Sequence, residues 1–263
     1  MIFKSFDILD LSIKDLIFSV LPITFKSYWF MTVFVVLYCL IPFINKLLNS
    51  LNREDYKKVL LVGLLLFSIL PTFTTKDFYG NELIQLMLFY SIGAYFGKYN
   101  DTFFSKKKNC ILVLFSMIVI ILGSIVCIDL LSLKFSVLVK HSTYLLNRNS
   151  IFSILLCIAL FNLFVNKKPF SNNIINGISK NVLAVYLISD NYLIRKILWT
   201  DILKVSLHVD KWYLFGHMIL SVLIVFIVCI IIEWIRSHTI EKLFSKIYDG
   251  IYNKISYKSK KVM

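Results

Sequence analysis

Six stretches of the chain carry no charged side chain: Ser27 to Asn45, Val59 to Thr75, Leu83 to Gly97, Ile111 to Ile128, Ser150 to Asn166 and Tyr213 to Ile232. In none of them do apolar and polar positions alternate with period two, which argues for helices and against an outer-membrane barrel. Each approaches the roughly 20 residues that a helix needs to cross a hydrocarbon layer about 30 Å thick. A seventh stretch, Lys180 to Trp199, is interrupted by Ser189, Asp190, Asn191, Arg195 and Lys196. Ahead of the first stretch, residues 12–21 follow a Ser12-x-x-Asp15 capping pattern and stop at Pro22. They predict a helix of about 15 Å, half the hydrocarbon thickness. Asp7, Asp10 and Asp15 spoil a signal-peptide reading of that region. The pattern therefore predicts an all-α membrane protein, a polytopic bundle of about seven transmembrane helices. Residues 1–26 form an interfacial N-terminal segment and 237–263 a basic tail. No internal repeat and no Gly/Ser- or Pro-rich linker divides 1–263, which predicts a single transmembrane domain.

Composition strengthens this reading. Of 263 residues, 58% are hydrophobic and only 17% charged, where a soluble domain carries roughly a quarter. The mean hydropathy of +0.77 points the same way. A net charge of +14 raises the question of nucleic acid, but the cations fall between the apolar runs, where membrane topology explains them. The N-terminal segment and loops 76–82, 133–149 and 195–212 hold 11 Lys and Arg, against 18 in 46–58, 98–109, 166–180 and the tail after Ile232. The second set includes Lys106-Lys107-Lys108 and Lys260-Lys261 and is predicted to be cytoplasmic, with the C-terminus inside and the N-terminus outside. Cys39, Cys110, Cys127, Cys157 and Cys229 show no CxxC spacing and read as small core residues rather than metal ligands or disulfides. The chain has no P-loop, GxGxxG, HExxH, GxSxG or zinc-spaced Cys/His motif, so nothing supports nucleotide-driven transport, soluble-type hydrolysis or a metal site.

Ser27 to Leu48, SYWFMTVFVVLYCLIPFINKLL, followed by LNREDYKKVLLVGLLLFSILPTF, resembles the bacterial acyltransferase 3 family of integral membrane O-acyltransferases. The match is to the branch often encoded with capsule and surface-polysaccharide genes. FYSIGAYFGKY (Phe89 to Tyr99) and ISKNVLAVYLISDNYLIRKILW (Ile178 to Trp199) resemble two later segments of that branch, so the likeness runs in order from about Ile13 to Phe244. It implies a multi-pass plasma (inner) membrane enzyme that moves an acyl group, usually acetyl from acetyl-CoA, to a glycan hydroxyl. It also implies ten helices with both ends cytoplasmic, and essential His and Arg residues in the first helices. Those helices have no counterpart here. Ten against seven leaves an odd number, which agrees with the outside N-terminus that the charge split gives. The two lines together predict an N-terminally truncated member, inactive on its own, that partners a separately encoded N-terminal helix fragment. The branch usually reads Tyr-Leu-Ile-His-Asp where this chain has Tyr186-Leu187-Ile188-Ser189-Asp190, and Ser cannot take a proton near neutral pH as His can. No catalytic residue is therefore assigned. His141, His208, His217 and His238 match no family motif and read as solvated or interfacial residues.

The chemistry left in the chain gathers around the interrupted stretch. If its helix runs straight through from Lys180, Asp190 lies about 15 Å from the start, at the bilayer midplane, where a carboxylate marks a functional site. Tyr186 and Asp190 then share a helix face, as do Asn191 and Arg195, and the face lines a polar cavity for a glycan or acyl donor. The alternative is a helix that ends near Ser189, with Asp190-Asn191 capping an interfacial helix. Tyr28 and Trp29 read either as an aromatic belt or as a sugar-stacking platform. The candidate substrate-binding residues are thus Tyr28, Trp29, Tyr186, Asp190, Asn191 and Arg195, with membrane lipid and a glycan acceptor as partners and no nucleic acid. Asn45, Gln85, Asn162 and Glu233 read as hydrogen-bond partners between helices, and the Lys106 to Lys108 run as topological charge before a CoA-phosphate site. The leading function is a membrane O-acetyltransferase of cell-envelope or capsular polysaccharide. The alternatives are a non-catalytic scaffold or half of a split enzyme and, further off, a polysaccharide exporter or polymerase.

Overall fold

The structure, a computed structural model, describes residues 18, 22–25, 27–74, 82–99, 101–209, 211–242, 244 and 248. Among these, every regular element is a helix. The helices are α1 (Trp29–Ser50), α2 (Arg53–Leu64), α3 (Leu70–Thr74), α4 (Glu82–Lys98), α5 (Lys107–Ser132), α6 (Ile151–Val165), α7 (Asn173–Ser189), α8 (Tyr192–Lys196) and α9 (Leu214–Arg236). Five helical runs are long and apolar enough to cross a membrane: Trp29–Ser50, Arg53–Thr74, Lys107–Ser132, Ser136–Val165 and Leu214–Glu241. The other two expected stretches are the 17-residue α4 and α7, each about 25 Å long. The predicted N-terminal helix and all but the first residues of the basic tail lie outside the described residues. The turn at Pro22 is described: the Ser27 amide donates to the Pro22 carbonyl at 2.9 Å.

Two compact units are present, residues 30–169 and residues 1–29 with 170–263. In the first, Leu37, Ile44 and Leu48 of α1 recur at helical spacing and pack with Tyr56 and Leu60 of α2, Ile92 and Tyr95 of α4, and Ile154 and Ile158 of α6. At one end, Tyr56, Tyr95 and Tyr99 stack edge to face or tilted, and Arg53 lies 4.9 Å above the Tyr99 ring. Arg53 also grips Asp101 with both guanidinium arms, at 2.6 and 2.8 Å, and holds the Asp101 carboxyl below the usual carboxylate range. Elsewhere, polar pairs take the place of apolar packing, because an unpaired polar group in lipid is costly. Tyr90 donates to Asn45, the Gln85 amide pairs with buried Asn149, and Glu82 pairs with Arg148 at 2.9 Å. Buried Asn162 turns inward on its own helix and donates to the Ile158 carbonyl. Asn45 thus joins two helices as its position predicts, whereas Gln85 ties α4 to the turn ahead of α6 and Asn162 bonds within its own helix.

The run from α2 to α3 is not a plain helix. Residues Leu65–Ile69 form a π turn just ahead of Pro71, whose missing N–H and ring bulk disrupt the regular ladder. The Thr72 hydroxyl donates to the Ser68 carbonyl and accepts the Ile151 amide, so the distorted turn is fastened to the start of α6. Gly63 lets α2 and α4 approach closely; a methyl there would stand 2.9 Å from Leu88 Cδ1. By contrast, α5 turns Leu112, Phe115, Val119, Leu122 and Val126 outward, as a helix does when lipid replaces protein on that face.

Candidate functional site

In the second unit, α7 begins at Asn173, earlier than the Lys180 start expected from sequence. Asn172 supplies the reason: its side-chain oxygen accepts the amides of Ile174 and Ile175 at 2.9 and 3.1 Å and caps the helix. The helix does not run through to Trp199. It ends at Ser189, Asp190 is its C-cap, and Asn191 turns the chain into α8. Asp190 therefore sits at the far end of a 17-residue helix, about 25 Å from its start rather than about 15 Å. This is a correction to the straight-helix reading. Polar Ser189-Asp190-Asn191 offers side-chain bonds that compete with the helix ladder.

Asn191 carries the junction. Its Oδ1 accepts the Leu193 amide at 3.0 Å as the N-cap of α8, while its Nδ2 donates to the Tyr28 hydroxyl at 2.8 Å. That hydroxyl in turn donates to the Leu187 carbonyl at 2.8 Å, a group in the last turn of α7 that has no partner within the helix. The Tyr28 and Tyr186 rings lie 5.9 Å apart, tilted. Arg195 pairs with Asp190 at 3.3 Å instead of facing Asn191 side chain to side chain, and the Arg195 amide bonds to the Asn191 carbonyl. Of the six sequence-predicted residues, Tyr28, Tyr186, Asp190, Asn191 and Arg195 are brought together. Trp29 opens α1 next to them and is half exposed. The described residues hold no group of three or more metal-ligating side chains.

The first half of α7 lies against the last turn of α9, where a cleft is lined by Lys180 and Asn181 of α7 with Glu233, Trp234 and Arg236 of α9. The cleft measures about 530 Å³ and continues over His238 and Glu241 of the π turn that extends α9. Arg236 is held by Glu233 at 2.7 and 2.8 Å and by Glu241 at 3.0 Å, which leaves Lys180 as the lysine facing the space. At the start of α9 the sequence reading missed a contact: the His208 and His217 rings lie 4.1 Å apart, and His208 Nδ1 is 3.2 Å from the Tyr213 hydroxyl. The His217 Nδ1 is buried and has no hydrogen-bond partner among the described residues. The only signal in the sequence is the His208…Tyr213…His217 spacing, which is meaningless until the short 3₁₀ turn Val205–His208 folds the loop back onto α9.

Searches of curated proteins and of solved structures each find no significant match. The sequence model of the acyltransferase domain matches residues 4–234, which reaches into both units and covers α7, the α7–α8 junction and α9 up to Trp234. The chain belongs to the acyltransferase 3 family, as a helical protein with several membrane-crossing segments.

Proposed function

We propose that the chain forms the substrate-handling part of a membrane O-acyltransferase that moves an acyl group, acetyl above all, from an acyl-CoA to a hydroxyl of a cell-envelope or capsular polysaccharide. The observation that carries this reading is the α7–α9 pair within an acyltransferase domain. A polar cleft that contains Lys180 lies beside the first half of α7 and an aromatic, polar junction at its end, with Lys180 and Asp190 about 15 Å apart along the helix. An acyl-CoA is a polyanion and can pair with Lys180, whereas a sugar ring suits aromatic faces beside short polar side chains. The loop charges support an orientation with the cleft and the C-terminus on the cytoplasmic side of the plasma membrane. A reporter fused after Met263 is then active only in a cytoplasmic mode, and a cysteine placed in 133–149 is labelled from outside. Labelling of that loop only after permeabilisation would overturn the orientation.

A second part of the reading rests on Ser189, which stands where the resembling branch carries His. A serine hydroxyl does not accept a proton near neutral pH, so the proton-transfer group lies outside the Tyr186–Asp190 segment, and position 189 does not supply it. Positioned acid-base groups contribute about 100- to 10,000-fold in rate. Purified chain in nanodiscs with acetyl-CoA and polysaccharide is therefore expected to transfer acetyl only at trace rate. In cells, deleting the chain is expected to lower the O-acetyl content of the envelope polysaccharide. Unchanged O-acetyl content would sink the acyltransferase assignment. Brisk transfer by the chain alone would sink this part of the reading and point to His208 and His217, whose rings meet beside the start of α9.

A further inference from the structure

We propose that the paired ends of α5 and α6 bind one anionic phospholipid. A groove of about 420 Å³ lies where α5 starts and α6 ends, lined by Lys107, Leu160, Leu163, Phe164, Asn166, Lys167 and Lys168. Its two chemistries are segregated. Leu160 and Phe164 stand one turn apart on the same face of α6 and are 43% and 65% exposed, a wall of the right kind for acyl chain. Lys107, Lys167 and Lys168 crowd the rim, and the lining itself contains no carboxylate. Lys106 and Lys108 flank Lys107 in the sequence and add to the positive field.

The start of α5 adds a second attraction for an anion. Its N-cap position is occupied by Lys106, which makes no side-chain cap, where Ser, Asp or Asn would ordinarily accept the first-turn amides. Backbone N–H groups and the positive end of the helix dipole thus face the same region as the lysines. The rim is also held in place. Asn166 Nδ2 donates to the Phe104 carbonyl at 2.9 Å, Cys110 donates to the same carbonyl, and Asn109 Nδ2 donates to the Phe103 carbonyl at 2.8 Å. These bonds tie the end of α6 to the turn that leads into α5. A preorganised basic rim above an apolar wall, at the end of two membrane helices, fits a lipid phosphate with its chains along α6. A water-soluble phosphate would use the rim and leave Leu160 and Phe164 without a role.

The test uses the full chain, purified in mild detergent, with thermal stability followed during titration of phosphatidylglycerol, phosphatidylcholine or glycerol phosphate. Phosphatidylglycerol is expected to stabilise saturably, and the other two to do little. A lysine beside an anionic headgroup contributes about five-fold in affinity, so Lys107→Gln with Lys168→Gln should shift the titration about 25-fold. Phe164→Ala should weaken the lipid response by removing the wall. Lys57→Gln with Lys58→Gln removes lysines paired with Glu54 and Asp55 outside the groove, and should leave the response unchanged. Equal stabilisation by phosphatidylcholine, full competition by glycerol phosphate, or an unshifted titration in the Lys107/Lys168 variant would each overturn the proposal. Native mass spectrometry of the same variants, reading retained phosphatidylglycerol, keeps the test valid if a variant is less stable.

Discussion

Tyr56 and Tyr28 both offer a hydroxyl to the carbonyl of another helix, and the two differ in what that bond does. Tyr56 is 1% exposed, donates to the Ser91 carbonyl at 2.8 Å and has Tyr95 and Tyr99 against its ring. Ser91 lies inside α4, so this bond fastens two helices that continue past it. Tyr28 is half-buried and donates to the Leu187 carbonyl, in the last turn of a helix that is about to stop. It also accepts from Asn191, the residue that starts the next helix. The first tyrosine closes a core, and the second bridges a break. Polar groups in a core are consumed by packing, whereas polar groups at a break stay within reach of a ligand.

The comparison predicts its own ordering of stability effects. Tyr56→Ala removes a fully buried ring and is expected to cost about 3–5 kcal/mol, of which Tyr56→Phe accounts for about 1 kcal/mol through the lost hydrogen bond. Unfolding of detergent-solubilised protein with rising denaturing detergent measures both. A loss below about 1 kcal/mol for Tyr56→Ala would mean that the tyrosine cluster does not close the core.

At the break the losses should be smaller but coupled. Tyr28→Phe gives up one donor and one acceptor, for about 1–2 kcal/mol, and Asn191→Ala removes the α8 cap, for about 0.5–2 kcal/mol. Because the two side chains bond to each other, the double variant should cost less than the sum by about 0.5 kcal/mol or more. Full additivity would show that the bridge contributes nothing as a unit.

Much of this was legible from residue order, and the rest was hidden for physical reasons. The apolar runs sit on helices because a chain in lipid must satisfy its backbone internally. The polar interruption at 189–191 marked the right place. Its consequence was open because a Ser-Asp-Asn triplet fits either a lined helix face or a capped break. Asn172 decided the helix start, and its capping role depends on a neighbourhood after Pro169 that no hydrophobic period reports. The contact between His208 and His217 was invisible because a short turn, without any periodic signal, brings the rings together. Tyr28 was readable as an aromatic at a helix start. Its partner Asn191 is 163 positions away, beyond anything a local pattern encodes.

The smallest effects are expected at Asp190 and Arg195, and they bear most directly on the character of the junction. The side chains are 27% and 63% exposed, with 3.3 Å between oxygen and nitrogen. An ion pair open to that degree contributes about 0–1 kcal/mol, since solvent screens both charges and ordering two side chains costs entropy. Asp190→Asn and Arg195→Ala should therefore each cost less than about 1 kcal/mol, and the double variant should match their sum within about 0.5 kcal/mol. Raising the salt concentration should shrink even these differences. A closed cavity makes the opposite prediction. There, removing Arg195 strands a carboxylate in a low-dielectric space at a cost of several kcal/mol, and removing Asp190 as well relieves the strain. A double variant more stable than Arg195→Ala alone would break the comparison with Tyr56 by turning the junction into a buried site. Small, additive and salt-sensitive losses would leave Asp190 and Arg195 available to a substrate rather than held by the fold.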